Sequence, residues 1–388
     1  MILEAVTKAG QLAARRLAPR ISTADANARF VPELQSIRGL AAGMVMVHHA
    51  LRCITPTPPT HFIADMLLNA HAAVVIFFVL SGYVLSRALA TVPSDLAGIT
   101  NFYVRRGFRI YPAMIFGVAL GLLYYLFFRP IPAAHLSPFM LETYLPNKVT
   151  PVQAVLTFLG LQVVLLPPLW TITVELAASI VMPAIAFVRA LSGPALLVLT
   201  ALLGVVSFLF PTGNRWILVY LVDFALGACA LQYRAQLGRL MVHPLATAVA
   251  VAVLLWFRQL HPWPYFHPVP SILEGLASVL VIIGIDRNHA TFLRWPPLVR
   301  LGDWSFSLYL LHVPVAFALA RVIDHFLGTA LPPLALSLLV LIGTVAMVVP
   351  LSAWCFSAIE KPGIVAGKRA ANWATAMVAR RLGRRAGA

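Results

Sequence analysis

Residues 38–50 read RGLAAGMVMVHHA. The stretch is apolar enough for a membrane helix, yet it opens on a cation, Arg38, and closes on two imidazoles, His48 and His49. At 1.5 Å per residue His49 lies about 16 Å beyond Arg38, so a helix with Arg38 at the inner interface carries His49 close to the bilayer midplane. Ionisable groups at that depth are costly, face a protein interior or a wet cavity, and are functional candidates by default. The two rings point about 100° apart, so a single pocket accommodates one better than the other. A neutral imidazole donating one hydrogen bond to a neighbouring helix is the plainer alternative.

The rest of the chain has the same character. Of its 388 residues 60% are hydrophobic and 11% charged, and the mean hydropathy is +0.87, which excludes an ordinary soluble domain. Apolar segments near the length of a bilayer crossing recur at 36–53, 70–90, 112–128, 169–188, 194–210, 216–233, 242–257, 270–285, 302–320 and 334–357. The fold expected is therefore an all-α polytopic membrane bundle of about ten transmembrane helices. Residues 151–167, PVQAVLTFLGLQVVLLP, are shorter and bounded by prolines; they read as an extra re-entrant or interfacial helix. One domain, 31–360, lies between basic tails at 1–30 and 361–388.

With both termini cytoplasmic, only Arg52, Arg129, Lys148, Arg215, Arg258 and Arg321 of the 29 Lys and Arg residues fall outside. That bias obeys the positive-inside rule for an inner (cytoplasmic) membrane and accounts for the formal net charge of +16. The cations are scattered over loops and tails with no compact reader, so membrane lipids with anionic headgroups are the expected partner and nucleic acid is not. The N-terminal tail lacks a signal-peptide core and is expected to be retained. The C-terminal tail reads as a surface helix with Trp373, Met377, Val378 and Leu382 on one side. Cys53, Cys229 and Cys355 have neither disulfide nor metal spacing, and no internal repeat or phosphate loop is present.

Further polar groups lie where water is absent. His312 follows Asp303 by nine residues, roughly 14 Å along its helix, with Pro314 expected to kink the chain beside it. Two imidazoles at matching depth suggest one shared cavity. Glu175 follows the proline-marked outer end of its span by about two turns, placing a carboxylate inside the lipid core from the opposite face, and Asp223 reads as a structurally paired acid. Arg105, Arg106 and Arg109 in NFYVRRGFRIYP (101–112) form one cationic helix face suited to a phosphate, or to routine snorkelling.

These stretches together resemble the integral-membrane acyltransferase 3 family, from about residue 31 to Pro362. Arg38 and His49 match its arginine, ten residues, histidine spacing, which His48 does not. FFVLSGYVLS (77–86), RRGFRIYP (105–112), LWTITVE (169–175), DFALG (223–227) and SFSLYLLHVP (305–314) are similar to its further motifs, in order. Where relatives often carry aromatics after the motif glutamate, this chain has Leu176, Ala177 and Ala178. The resemblance implies O-acylation of a cell-surface glycan or lipid-linked sugar, with acyl-CoA, acetyl-CoA foremost, as donor and no metal. It implies that Arg106 and Arg109, with Arg105, bind the donor phosphates. His49 would act as general base or acyl carrier, with Arg38 and Glu175 beside it, and His312, His48, Ser81, Trp170 and Tyr309 would line the path. A transporter or flippase with a histidine and acid proton relay is the alternative, and a non-catalytic component of a glycan-assembly complex a third. The acceptor's identity and the oligomeric state are open at this stage.

Overall fold

The computed structural model describes residues 31–90, 95–143, 148–210, 216–261, 263, 264 and 266–386. The tail at 1–30 and Arg215 lie outside them. Among the described residues the chain is helical, with one isolated bridge between Ile54 and Leu136. The main helices are α1 (Pro32–Leu51), α2 (Ala70–Ala90), α3 (Leu96–Leu123), α4 (Pro151–Phe158), α5 (Leu169–Leu191), α6 (Gly193–Leu209), α7 (Trp216–Gln232), α8 (Pro244–Trp256), α9 (Pro268–Asp286), α10 (Pro296–Asp303), α11 (Ser305–Leu327), α12 (Pro333–Cys355) and α13 (Lys361–Ala386).

Local chemistry sets their starts. Proline occupies the first turn of α1, α4, α6, α8, α9, α10 and α12, where its missing N–H has no partner to lose. Asp95 caps α3 by accepting from the Gly98 amide at 2.7 Å.

Each of the ten expected crossings falls on a helix. Six described helices are long and apolar enough to cross a membrane unaided: Pro58–Ala90, Leu96–Phe128, Leu169–Leu191, Pro268–Asp286, Ser305–Leu327 and Pro333–Val378. A seventh arises if α7 is joined to Arg234–Leu240, which bends 85° away from it. The remaining expected spans fall short for physical reasons: α6 and α8 run 17 and 13 residues, about 26 and 20 Å, and in α1 Gln35, Arg38, His48 and His49 lower the hydropathy. Pro314 sits within an unbroken 23-residue α11.

Residues 151–167 are helical only over Pro151–Phe158, about 12 Å and too short to cross. Gly160, at φ +75°, then turns the chain, and Leu165 and Leu166 are fully buried. The irregular segment therefore ends inside the bundle, and α5 begins at the equally buried Leu169.

The C-terminal segment expected to be a tail continues α12 through a π-turn at Phe356–Glu360. α13 lays Gly363 and Gly367 against Phe108 and Pro112 of α3, and Asn101 Nδ2 donates to Thr375 Oγ1 at 3.2 Å. Trp373 and Met377 stay exposed, as expected of a surface helix; the Leu382 side chain lies outside the described residues.

The largest apolar cluster joins α2, α7 and α9. A close backbone crossing in it is Gly82 of α2 against Gly227 of α7: a Cβ on Gly82 would lie 2.1 Å from the Phe224 carbonyl oxygen, and one on Gly227 2.1 Å from that of Val79. Backbone cannot step aside as a side-chain tip can. Gly82→Ala is therefore expected to cost about 1–3 kcal/mol or more and to lower the melting temperature of the detergent-solubilised protein. Gly43→Ala, whose Cβ meets nothing within 4 Å, is the control.

Candidate active site

Four arginines converge on one cavity of about 490 Å³ between α1, α2, α3, α5 and α11: Arg38, Arg87, Arg106 and Arg109. Glu175, Ser81, Tyr83 and Tyr309 line it too, and Val74, Phe77 and Phe78 supply an apolar stretch. The cavity runs along α2 from Arg87 to Val74, thirteen residues or about 20 Å. One helix thus carries a cation at one end of the space and apolar side chains at the other.

Within the cationic end the arginines differ. Arg106 is buried and committed: Nη2 meets Glu175 Oε1 at 2.8 Å, and Nε donates to Ser179 Oγ. Arg38 Nη1 donates to Gln35 Oε1 at 3.0 Å, one turn below on its own helix. Arg109 is exposed to the cavity, and among the described residues no hydrogen bond or ion pair engages its guanidinium. Glu360 sits near Arg38 and Arg109, where it accepts from the Ser307 amide at 3.1 Å and from the Ser307 hydroxyl. Three carboxylates, Glu175, Glu360 and Asp303, against four guanidiniums leave one positive charge in surplus, and Arg109 is free for an anion.

The imidazoles form a separate layer. His312 is fully buried, and its Nδ1 can only donate to the Leu308 carbonyl oxygen, 3.2 Å away. For neutral rings its Nε2 is then an acceptor, so His49 Nδ1, 2.9 Å distant, donates to it. The chain of bonds leaves His49 Nε2 as a bare lone pair. The rings stack at 5.1 Å. Tyr309 lies 5.7 Å from His312 and 6.2 Å from Phe77, so it stands between the cavity and the imidazole pair.

The structure therefore brings Arg38, Arg106, Arg109, Glu175, Ser81 and Tyr309 to one cavity and sets His49 and His312 behind it. Arg105 is not among the cavity's lining residues: it is exposed on α3, its backbone running beside Gly367 of α13. Trp170 is not among them either; it packs on Tyr220 and Phe266 at 5.3 and 5.8 Å. His48 turns towards Asp65, 3.9 Å away. Glu175, expected from the opposite face, lies in the arginine cavity and pairs with Arg106. Asp223, expected to be paired, has no hydrogen-bond partner for either oxygen among the described residues, and Oδ1 would lie 2.4 Å from a Cβ on Gly275.

Two features escaped the sequence reading. Arg87, read as a topology signal, shares the cavity face with Tyr83 four residues earlier. The fully buried Glu274 is held by His71 Nδ1 at 2.6 Å, Asn69 Nδ2 at 2.9 Å and Arg258 Nε at 3.2 Å. His71 and Asn69 lie at or before the start of an apolar helix, where the pattern alone gives no hint of a partner.

A cationic cavity with a hydrogen-bonded imidazole pair behind its Tyr309 wall suits transfer of a group from an anionic donor. The family model described as an acyltransferase domain, of the acyltransferase 3 type, matches residues 31–353. The chain belongs to the acyltransferase 3 family. It is also 25% identical over 382 residues to nodulation protein 10 of Rhizobium leguminosarum bv. viciae, covering 89% of this chain and 95% of that protein. No solved structure matches. The helices and the family together make this chain a membrane acyltransferase, and its motif residues fall in both the cavity and the imidazole layer.

Proposed function

We propose that this acyltransferase moves an acyl group, acetyl foremost, from cytoplasmic acyl-CoA to a hydroxyl of a cell-surface glycan or lipid-linked sugar. In this reading both termini are inside and the arginine end of the cavity faces the cytoplasm. The observation that carries the reading is the cavity itself, with a free Arg109 at its charged end and the imidazole pair behind its Tyr309 wall.

In this reading Arg109 and Arg87 meet the donor's phosphates, and Arg38 and Arg106 form the charged rim, Arg106 being held in place by Glu175. The thioester extends along α2 towards Tyr309. His49 Nε2 accepts the proton of the acceptor hydroxyl as its oxygen forms a bond to the thioester carbonyl carbon. The carbon–sulfur bond then breaks, and the departing thiolate takes that proton from His49, giving an ester and free CoA. His312 holds the tautomer that leaves Nε2 available. The acyl-histidine route uses the same nitrogen as nucleophile.

The test is turnover: purified protein in lipid nanodiscs should release CoA from acetyl-CoA, and cells carrying the chain should show a surface glycan heavier by one acyl group. Absence of both overturns the reading. Within it, Arg109→Ala should raise the apparent KM for acetyl-CoA about 10- to 100-fold, the worth of a hydrogen bond to a charged group. An unchanged KM removes Arg109 from donor binding.

A further inference from the structure

A second, smaller pocket lies at the other end of α1. It has a volume of about 180 Å³ and is lined by Leu51, Arg52, Pro56, Thr60, His61, Ala64 and Asp65. Asp65 is its centre: Oδ1 meets Arg52 Nη1 at 2.5 Å and stands 3.9 Å from His48 Nε2, while Oδ2 is 3.4 Å from His61 Nε2.

Two rings, those of His48 and Phe139, link the pocket's Asp65 and Arg52 to the His49 ring. The His48 ring meets the His49 ring edge-on at 5.4 Å. The Arg52 guanidinium lies 5.6 Å from the Phe139 ring, which is 5.3 Å from His49. His48 Nδ1 is buried with no hydrogen-bond partner among the described residues. His48 is not among the pocket's lining residues, and its Nε2 rather than its Nδ1 is the nitrogen on the Asp65 side.

We infer that this pocket is the subsite for the acceptor, and that it takes one neutral, hydroxyl-rich ring of a glycan. The inference rests on the reading of the chain as a hydroxyl acyltransferase and adds where the acceptor sits. Charge argues for neutrality: Asp65 and Arg52 cancel one another, so an anion would meet the carboxylate and a cation the guanidinium. A carboxylate acceptor beside a guanidinium donor matches adjacent hydroxyls, each of which both donates and accepts. Leu51, Pro56 and Ala64 offer an apolar wall to the ring's C–H face. The volume, about six water molecules' worth, suits a single sugar ring. Donor and acceptor then approach the imidazole pair from opposite ends of α1, with Arg38 near one and Arg52 near the other.

The experiment separates acceptor from donor. Asp65→Asn and, as a variant at an exposed position with little risk to folding, His61→Ala are made in the full chain. Each is purified for equilibrium binding of labelled acetyl-CoA, and each is expressed in cells whose surface glycans are weighed by mass spectrometry. The expected result is acetyl-CoA affinity within about twofold of the parent, with the acyl load on the glycan reduced at least tenfold for Asp65→Asn and severalfold for His61→Ala. An unchanged acyl load in both variants overturns the assignment. So does a matching loss of acetyl-CoA affinity and acyl load, which would make the pocket a support for the donor site. If the parent protein neither binds acetyl-CoA nor acylates a glycan, the acyltransfer reading fails and takes the subsite with it.

Discussion

His49→Ala is expected to lower the rate of acyl transfer about 10²- to 10⁴-fold, the range that general-base assistance supplies. Among the described residues no hydrogen-bond partner engages the nitrogen of this ring that its bond to His312 leaves over. An alcohol is a poor nucleophile until its proton is accepted, so removing the ring removes the step. The ring is half-buried and bonded to a single side chain, so alanine leaves a small void rather than a stranded charge, and membrane insertion should persist. CoA release from acetyl-CoA, measured on protein with native elution behaviour and acetyl-CoA affinity, reads the effect. A variant that turns over at the parental rate would take His49 out of the chemistry.

His312→Ala is expected to cost about 10²-fold or more in kcat with a small change in KM for acetyl-CoA, because His312 acts through His49 and touches neither the phosphates nor the arginines. Without it, His49 loses the acceptor for Nδ1–H and is free to take the other tautomer, which presents an N–H to the acceptor hydroxyl in place of a lone pair. The loss of a tautomer-setting partner in the serine-protease triad, about 10⁴-fold, bounds the effect from above. His312→Asn, whose side-chain oxygen can accept the same bond, should recover part of the rate. The double variant His49→Ala with His312→Ala should be little worse than His49→Ala alone, since residues that act as a unit are non-additive. Additive losses would mean that the two rings work independently.

Much of this arrangement was legible before any coordinates. Hydropathy gave the helical class, and the spacing from Arg38 to His49, with His312 at matching depth, gave the imidazole layer. What eluded the sequence was depth and facing. Residues near Leu165 and Leu169 read as a surface entry to a span, because hydropathy records that a segment avoids water and not whether lipid or protein covers it. The pairing of Glu175 with Arg106 could not be read from that pattern. Three arginines within five residues of α3 could not be sorted by periodicity alone, since the face of α3 that meets α13 is set by Gly363 and Gly367, far along the chain. The partnership of Asp65 with Arg52 was equally hidden: it depends on the turn after α1 folding back, and no periodic pattern marks it.

The course of α2 along the cavity has a mechanical consequence. On the proposed donor path, a rigid rod with Arg87 at one end of the cavity and Val74 and Phe77 at the other works as a fixed gauge, and the crossing at Gly82 clamps that rod midway. One residue inserted between Gly82 and Arg87 would turn the anchor by about 100° and displace it by about 1.5 Å while leaving Val74 and Phe77 in place. The donor would still find cations, but its carbonyl would stop at the wrong mark.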